Sequence, residues 1–121
     1  MKLHLLFIGN KFIYNKSLKE YVIRKVEEKC DFINTLTHFK ESDNSLLLFL
    51  EEEFNSSDKL IIVTTKHNFS TIGKMIATVT SDNQILKDQM LIPSKADKYL
   101  QDSYLLEYKN STVNVISMDE M

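Results

Sequence analysis

A chain of 121 residues, 43% of them hydrophobic, is one domain's worth of sequence with enough apolar material for a proper core. Its formal charge of -2 carries no net basic footprint, so no nucleic-acid partner is expected. The single cysteine, Cys30, rules out an internal disulfide and fits a reducing compartment.

The N-terminal run from Met1 to Gly9 has one basic residue, Lys2, and no small-residue cleavage site follows it. Its apolar part is too short to span a membrane. Residues 2–8 therefore read as a first strand, buried on both faces as parallel strands are, in a cytoplasmic protein with no membrane partner. The chain has only two glycines and one proline, so each is expected to mark a real corner, and Gly9 lies just past this strand. After a polar connection, Ser17 and Glu20 form a capping-box pattern, and Leu18, Val22 and Val26 repeat every fourth residue. The spacing predicts a first helix over residues 17–29, with Cys30 on its stripe as a buried, inert thiol. Residues 31–39 are β-branched and aromatic with broken alternation, as expected of a second strand near a sheet edge. Ser42, Asp43 and Asn44 are N-cap candidates ahead of Leu46, Leu47, Leu50 and Phe54, which predicts a second helix over 43–54 with Glu51, Glu52 and Glu53 towards solvent.

The central stretch opens with the apolar run from Lys59 to Val63, a third, buried strand. Ile72, Met75, Ile76 and Val79 are then spaced for a third helix, in which Gly73 costs on the order of 1 kcal/mol relative to alanine. Between them, residues 64–71 read as a polar loop. In open α/β sheets ligands bind at the carboxyl ends of strands, where loop amides and a helix N-terminus can hold an anion. The candidate ligand-binding residues are therefore Gly9, Asn10, Thr64, Thr65, Lys66, Asn68, Ser70 and Thr71, which offer hydroxyls, amides and one cation. The plainer alternative is that Asn68 or Ser70 only caps the helix, since the glycine-rich shape typical of phosphate loops is missing.

In the last third, residues 89–92 suggest a short strand ended by Pro93, and 95–100 a single helical turn. Residues 103–108 and 112–116 flank a turn at 109–111 and read as a C-terminal β-hairpin. Alternating strands and helices followed by a hairpin imply an α/β fold: three layers, α/β/α, with a mostly parallel sheet. The acidic pair Asp119 and Glu120 directly before Met121 suggests that the natural protein is longer.

His4, His38 and His67 are too far apart in sequence for a local metal motif, and each reads as structural or exposed, with His67 the one placed to touch a ligand. Tyr104, Tyr108 and Phe39 read as packing residues. No catalytic residue and no metal ligand is assigned, and Asp43 with distant partners is the weak remaining metal option.

Several short strings, in order, resemble the N-terminal domain of the competence/damage-inducible CinA proteins, of the molybdopterin-binding-like fold. After the first strand the family carries Gly-Thr-Glu, and an Asn precedes the helix; this chain has Gly9-Asn10-Lys11 and then Asn15. A Gly-Asp-Asn-like turn precedes the family's second helix, similar to Glu41-Ser42-Asp43-Asn44, and its Ser-Asp before a hydrophobic strand is matched by Ser57-Asp58. The segment from Val113 to Met121 is similar to the family's last strand and its Glu-Met finish. The central family loop, Gly-Gly-Leu-Gly-Pro-Thr-x-Asp-Asp, corresponds to residues 64–72, where the glycines are gone and the paired acids have become Thr71 and Ile72. The first-loop acid is replaced by Lys11, and the final Pro-Gly by Ser117 and Met118. The resemblance implies handling of a nucleotide-like or pterin-like phosphate, with metal-dependent pyrophosphate cleavage in some members.

The expected function is a non-catalytic or degraded CinA-like domain that binds such a ligand at residues 64–71, within a homo-oligomeric protein; the cofactor, if any, stays unknown. One alternative is a metal-dependent hydrolase of an ADP-ribose-type substrate with relocated acids. Another is an oligomerisation module without a ligand, to which the hairpin would contribute.

Overall fold

The computed structural model describes residues 2–9, 15–29, 35–55, 58–79, 100–108 and 111–118. In chain order they form β1 (Leu3–Ile8), α1 (Lys16–Lys29), β2 (Thr35–Lys40), a 3₁₀ turn (Asp43–Ser45), α2 (Leu46–Glu52), β3 (Lys59–Thr65), α3 (Lys66–Val79), β4 (Leu100–Tyr108) and β5 (Ser111–Met118). The strands make one sheet in the order β2-β1-β3-β5-β4. β2, β1, β3 and β5 are parallel, and β4 runs antiparallel to β5 as the outer arm of the expected hairpin.

Strand side chains alternate between faces, so a strand covered by helices on both sides must be apolar at almost every position. All six residues of β1 and the five central residues of β3 are buried. Leu6, Ile8, Leu60, Ile62, Val113 and Val115 pack on one face with Leu46, Phe49 and Leu50 of α2 and Ile72 and Ile76 of α3. Leu3, Leu5, Phe7, Ile61, Val63, Ile116 and Met118 pack on the other with Leu18, Val22 and Val26 of α1. The result is the three-layer α/β/α arrangement. At about 1.5–3 kcal/mol for each large apolar side chain removed from water, these two clusters dominate the stability of the fold.

β2 differs. It pairs with β1 alone and buries none of its six residues, as an edge strand does. Phe39 packs on Phe7 with ring centroids 5.2 Å apart, yet keeps 38% of its surface in water, so it is only partly the packing residue expected.

The boundaries of all three helices depart from the sequence reading, each for a local reason. α1 starts at Lys16, because the side chain of Asn15, not Ser17, accepts the Leu18 N–H at 3.2 Å. The second helix is split: the 3₁₀ turn takes residues 43–45, α2 ends at Glu52, and Phe54 is buried beyond the helix end. α3 follows β3 with no loop between them. Its apolar stripe begins at Phe69, which packs against the core three residues before Ile72, so the polar residues around it, Lys66, His67, Ser70 and Thr71, form the outer side of the first helical turns.

Leu100, assigned to a helical turn, opens β4 instead. The expected strand at 89–92, Pro93, Cys30 and Asn10 lie outside the described residues. Among the described residues no helix is long and apolar enough to cross a membrane.

Candidate functional site

The chain leaves β1 for β2 on one side and returns to β3 on the other, so the carboxyl ends of β1 and β3 form the point at which strand order reverses. Ligands of open α/β sheets sit at that point because connections diverge there and leave a crevice. Gly9, Thr64, Thr65, Lys66 and Asn68 are gathered at it. Gly9 is buried with φ 134°, a conformation that a Cβ would disfavour, and its N–H donates to the Lys40 carbonyl at 2.9 Å. Thr64 is fully buried beside Ile8, and its hydroxyl donates to the Ile8 carbonyl at 3.2 Å, tying β3 to β1. The Thr65 hydroxyl accepts the Asn68 N–H at 3.3 Å and so caps α3. Capping thus falls to Thr65 rather than to Asn68 or Ser70.

Lys66 and His67 open α3 and are exposed. Ser70 and Thr71, grouped with them in sequence as loop residues, are carried along the helix, about 7 Å from the strand end for Ser70 at 1.5 Å per residue. They point outwards in the second turn and are not brought to the crevice.

Because β2 is parallel to β1, the intervening α1 also begins at this edge. Two helix N-termini, each carrying partial positive charge, therefore meet the same end of the sheet. Acidic side chains are the residues that usually stabilise a first turn, yet neither helix has one there, and lysines stand first in both: Lys16 and Lys66. Lys16 reaches its exposed i,i+4 partner Glu20 at 3.9 Å, a contact that water largely screens. The local field suits an anion. Among the described residues no three His, Cys, Asp or Glu side chains are grouped to hold a metal ion.

A second constellation, not anticipated from the sequence, lies near the opposite end of β1. His4, 3% exposed within an otherwise apolar strand, directs Nε2 to Asp58 Oδ2 at 2.9 Å and Nδ1 to His38 Nε2 at 3.0 Å. Asp58, 4% exposed, also accepts the Lys2 N–H at 3.1 Å on Oδ1, and its carbonyl accepts the Ser111 hydroxyl. Phe49 and Phe54 set their rings edge-on against His4, and Phe49 does the same to His38.

Burial pushes the Asp58 carboxyl up, but the hydrogen bonds from the His4 ring and the Lys2 N–H and the favourable electrostatics of both residues outweigh it and hold the group below the ordinary carboxylate value. His38 is held below the ordinary imidazole value by burial first, then by His4 and Lys40, while Glu53 acts the other way. The sequence signal for this cluster was a histidine inside each of two strands, one otherwise apolar and the other edge-like, plus an acid placed directly before a buried strand. Its partners are 34 and 54 residues apart, so no local motif joins them.

A comparison of the chain with protein-family models, with curated proteins and with solved structures finds no match.

Proposed function

We propose that this chain is a CinA-like, non-catalytic binding domain of a cytoplasmic protein, which holds a nucleotide-like or pterin-like phosphate at the carboxyl edge of β1 and β3. The observation that carries the reading is the pair of acid-free helix N-termini, with Lys16 and Lys66, at the strand-order switch point. Gly9 keeps the backbone at that edge free of a Cβ, and Lys66 supplies a cation that reaches into solvent. The loss of catalysis follows from the residues that stand where the resemblance would place acids. Ile72 is fully buried in the core and has no ligating atom, and Thr71 points outwards from the second turn of α3. A divalent ion needs clustered carboxylate oxygens to be held against a pyrophosphate.

Calorimetric titration with ADP-ribose, with and without Mg²⁺ and with assay of the products, tests this reading. Binding without turnover is expected. Lys66→Ala should weaken it roughly tenfold, about the loss of one charge-assisted contact. Unchanged affinity in that variant would remove the site, and Mg²⁺-dependent turnover would establish the hydrolase instead.

A second reading, self-association, is favoured by a separate observation. Leu47 and Leu48 on α2 and Leu36 on β2 are 37%, 56% and 40% exposed, apolar surface that a second copy of the chain would cover. Sedimentation over a range of concentrations without ligand reads it directly.

A further inference from the structure

The hydrogens in the Asp58–His4–His38 chain can be counted. With Asp58 ionised, His4 Nε2 must carry a hydrogen to donate to Oδ2. Exactly one hydrogen can then lie between His4 Nδ1 and His38 Nε2, which are 3.0 Å apart. Either a neutral His4 accepts from His38, or a cationic His4 donates to an unprotonated His38 nitrogen. A single added proton is accommodated in both forms. Two cationic imidazoles would set N–H against N–H, with the phenyl edges of Phe49 and Phe54 in place of water around a ring that is 3% exposed.

The strand on which His38 sits is weakly held. β2 buries no residue and is attached by its ladder to β1, by the Phe39–Phe7 stack, by the Lys19 ammonium 4.7 Å from the Phe39 ring centroid, by the Gly9 N–H to the Lys40 carbonyl, and by His38 itself. We propose that the Asp58–His4–His38 chain is a proton-counting latch on β2. It stays closed with no more than one positive imidazole, and a second proton, entering at the half-buried His38, breaks the His4–His38 bond and loosens the strand from the sheet edge.

The groups that face the chain tune the second step. From β1 and the residue before it come His4 and Lys2, from β2 Lys40, and from the end of α2 Glu53. At His38, Lys40 opposes the second proton and Glu53 favours it. Because the two rings share a hydrogen, a proton taken up by one is felt by the other.

The test combines imidazole nitrogen NMR with amide hydrogen exchange on the wild-type protein, followed downward from about pH 8. The first proton should enter without change in the protection of β2 relative to β3. Below the second step, exchange of the β2 amides relative to β3 should accelerate about tenfold per pH unit, the slope of an opening linked to one proton. His38→Gln, which keeps a donor but cannot titrate, should flatten that slope. Relative protection that does not change with pH, or both imidazoles cationic while β2 stays protected, would overturn the latch, and the wild-type data decide this even if the variant does not fold.

Discussion

Thr65 decides where α3 begins. Its hydroxyl takes the Asn68 N–H, one of the first-turn donors that no helical carbonyl can reach, and this lets the strand turn into the helix without a connecting loop. Thr65→Ala should lower stability by about 1 kcal/mol in urea denaturation, and Thr65→Ser should restore most of it, because serine caps at least as well as threonine. Asn15 does the same for α1. In both places several capping-type residues stand within a few positions of each other, so the residue that serves is decided by the backbone geometry around it. Thr64, one position earlier, has the same side chain and a different use, since its burial on the β3 face directs the hydroxyl to the Ile8 carbonyl.

At the scale of elements, α2 shows how far packing outweighs propensity. Seven residues form too few hydrogen bonds to offset the nucleation cost of a helix in water, so α2 stands on the sheet through Leu46, Phe49 and Leu50. Phe49 also closes one side of the histidine pair. Phe49→Ala should cost about 3–5 kcal/mol, measured by chemical denaturation, through lost burial and the cavity left beside His4. Leu48→Ala, on the exposed side of the same helix, should stay within roughly 0.5 kcal/mol of wild type. The contrast between β1 and β2 has the same origin: they are six residues each, and a neighbour on both sides makes one buried throughout, while a neighbour on one side leaves the other without a buried residue.

For the whole molecule, the buried titratable groups predict a stability that falls with acid in two stages. His38 binds its proton less readily folded than unfolded, so the unfolded chain gains protons first as pH falls below the ordinary value of 6.5, and stability declines from there until the folded group is also protonated. Asp58 is held ionised in the fold, so its contribution is full above the ordinary value of 3.8 and is lost as pH falls through its lower folded value. Thermal midpoints measured across this range should show both stages, with His38→Gln removing the upper one. Asp58→Asn should abolish the lower one and cost about 1–3 kcal/mol at neutral pH, because an amide can accept only one of the two N–H groups that Asp58 now satisfies.

The sequence by itself determined the alternation of strands and helices, the buried character of β1 and β3, and the C-terminal hairpin, because each rests on the period at which apolar side chains recur along the chain. It also placed Gly9, Thr64, Thr65 and Lys66 at the carboxyl edge, since a strand followed by a helix leaves its end there. Only the tertiary structure decided that residues 66–71 belong to the helix, where a polar outer face is as consistent with helix as with loop until the covered side is known. Only it joined His4, His38 and Asp58, because parallel pairing brings together residues from three separate segments, and no periodicity along one segment records which strand will lie beside it.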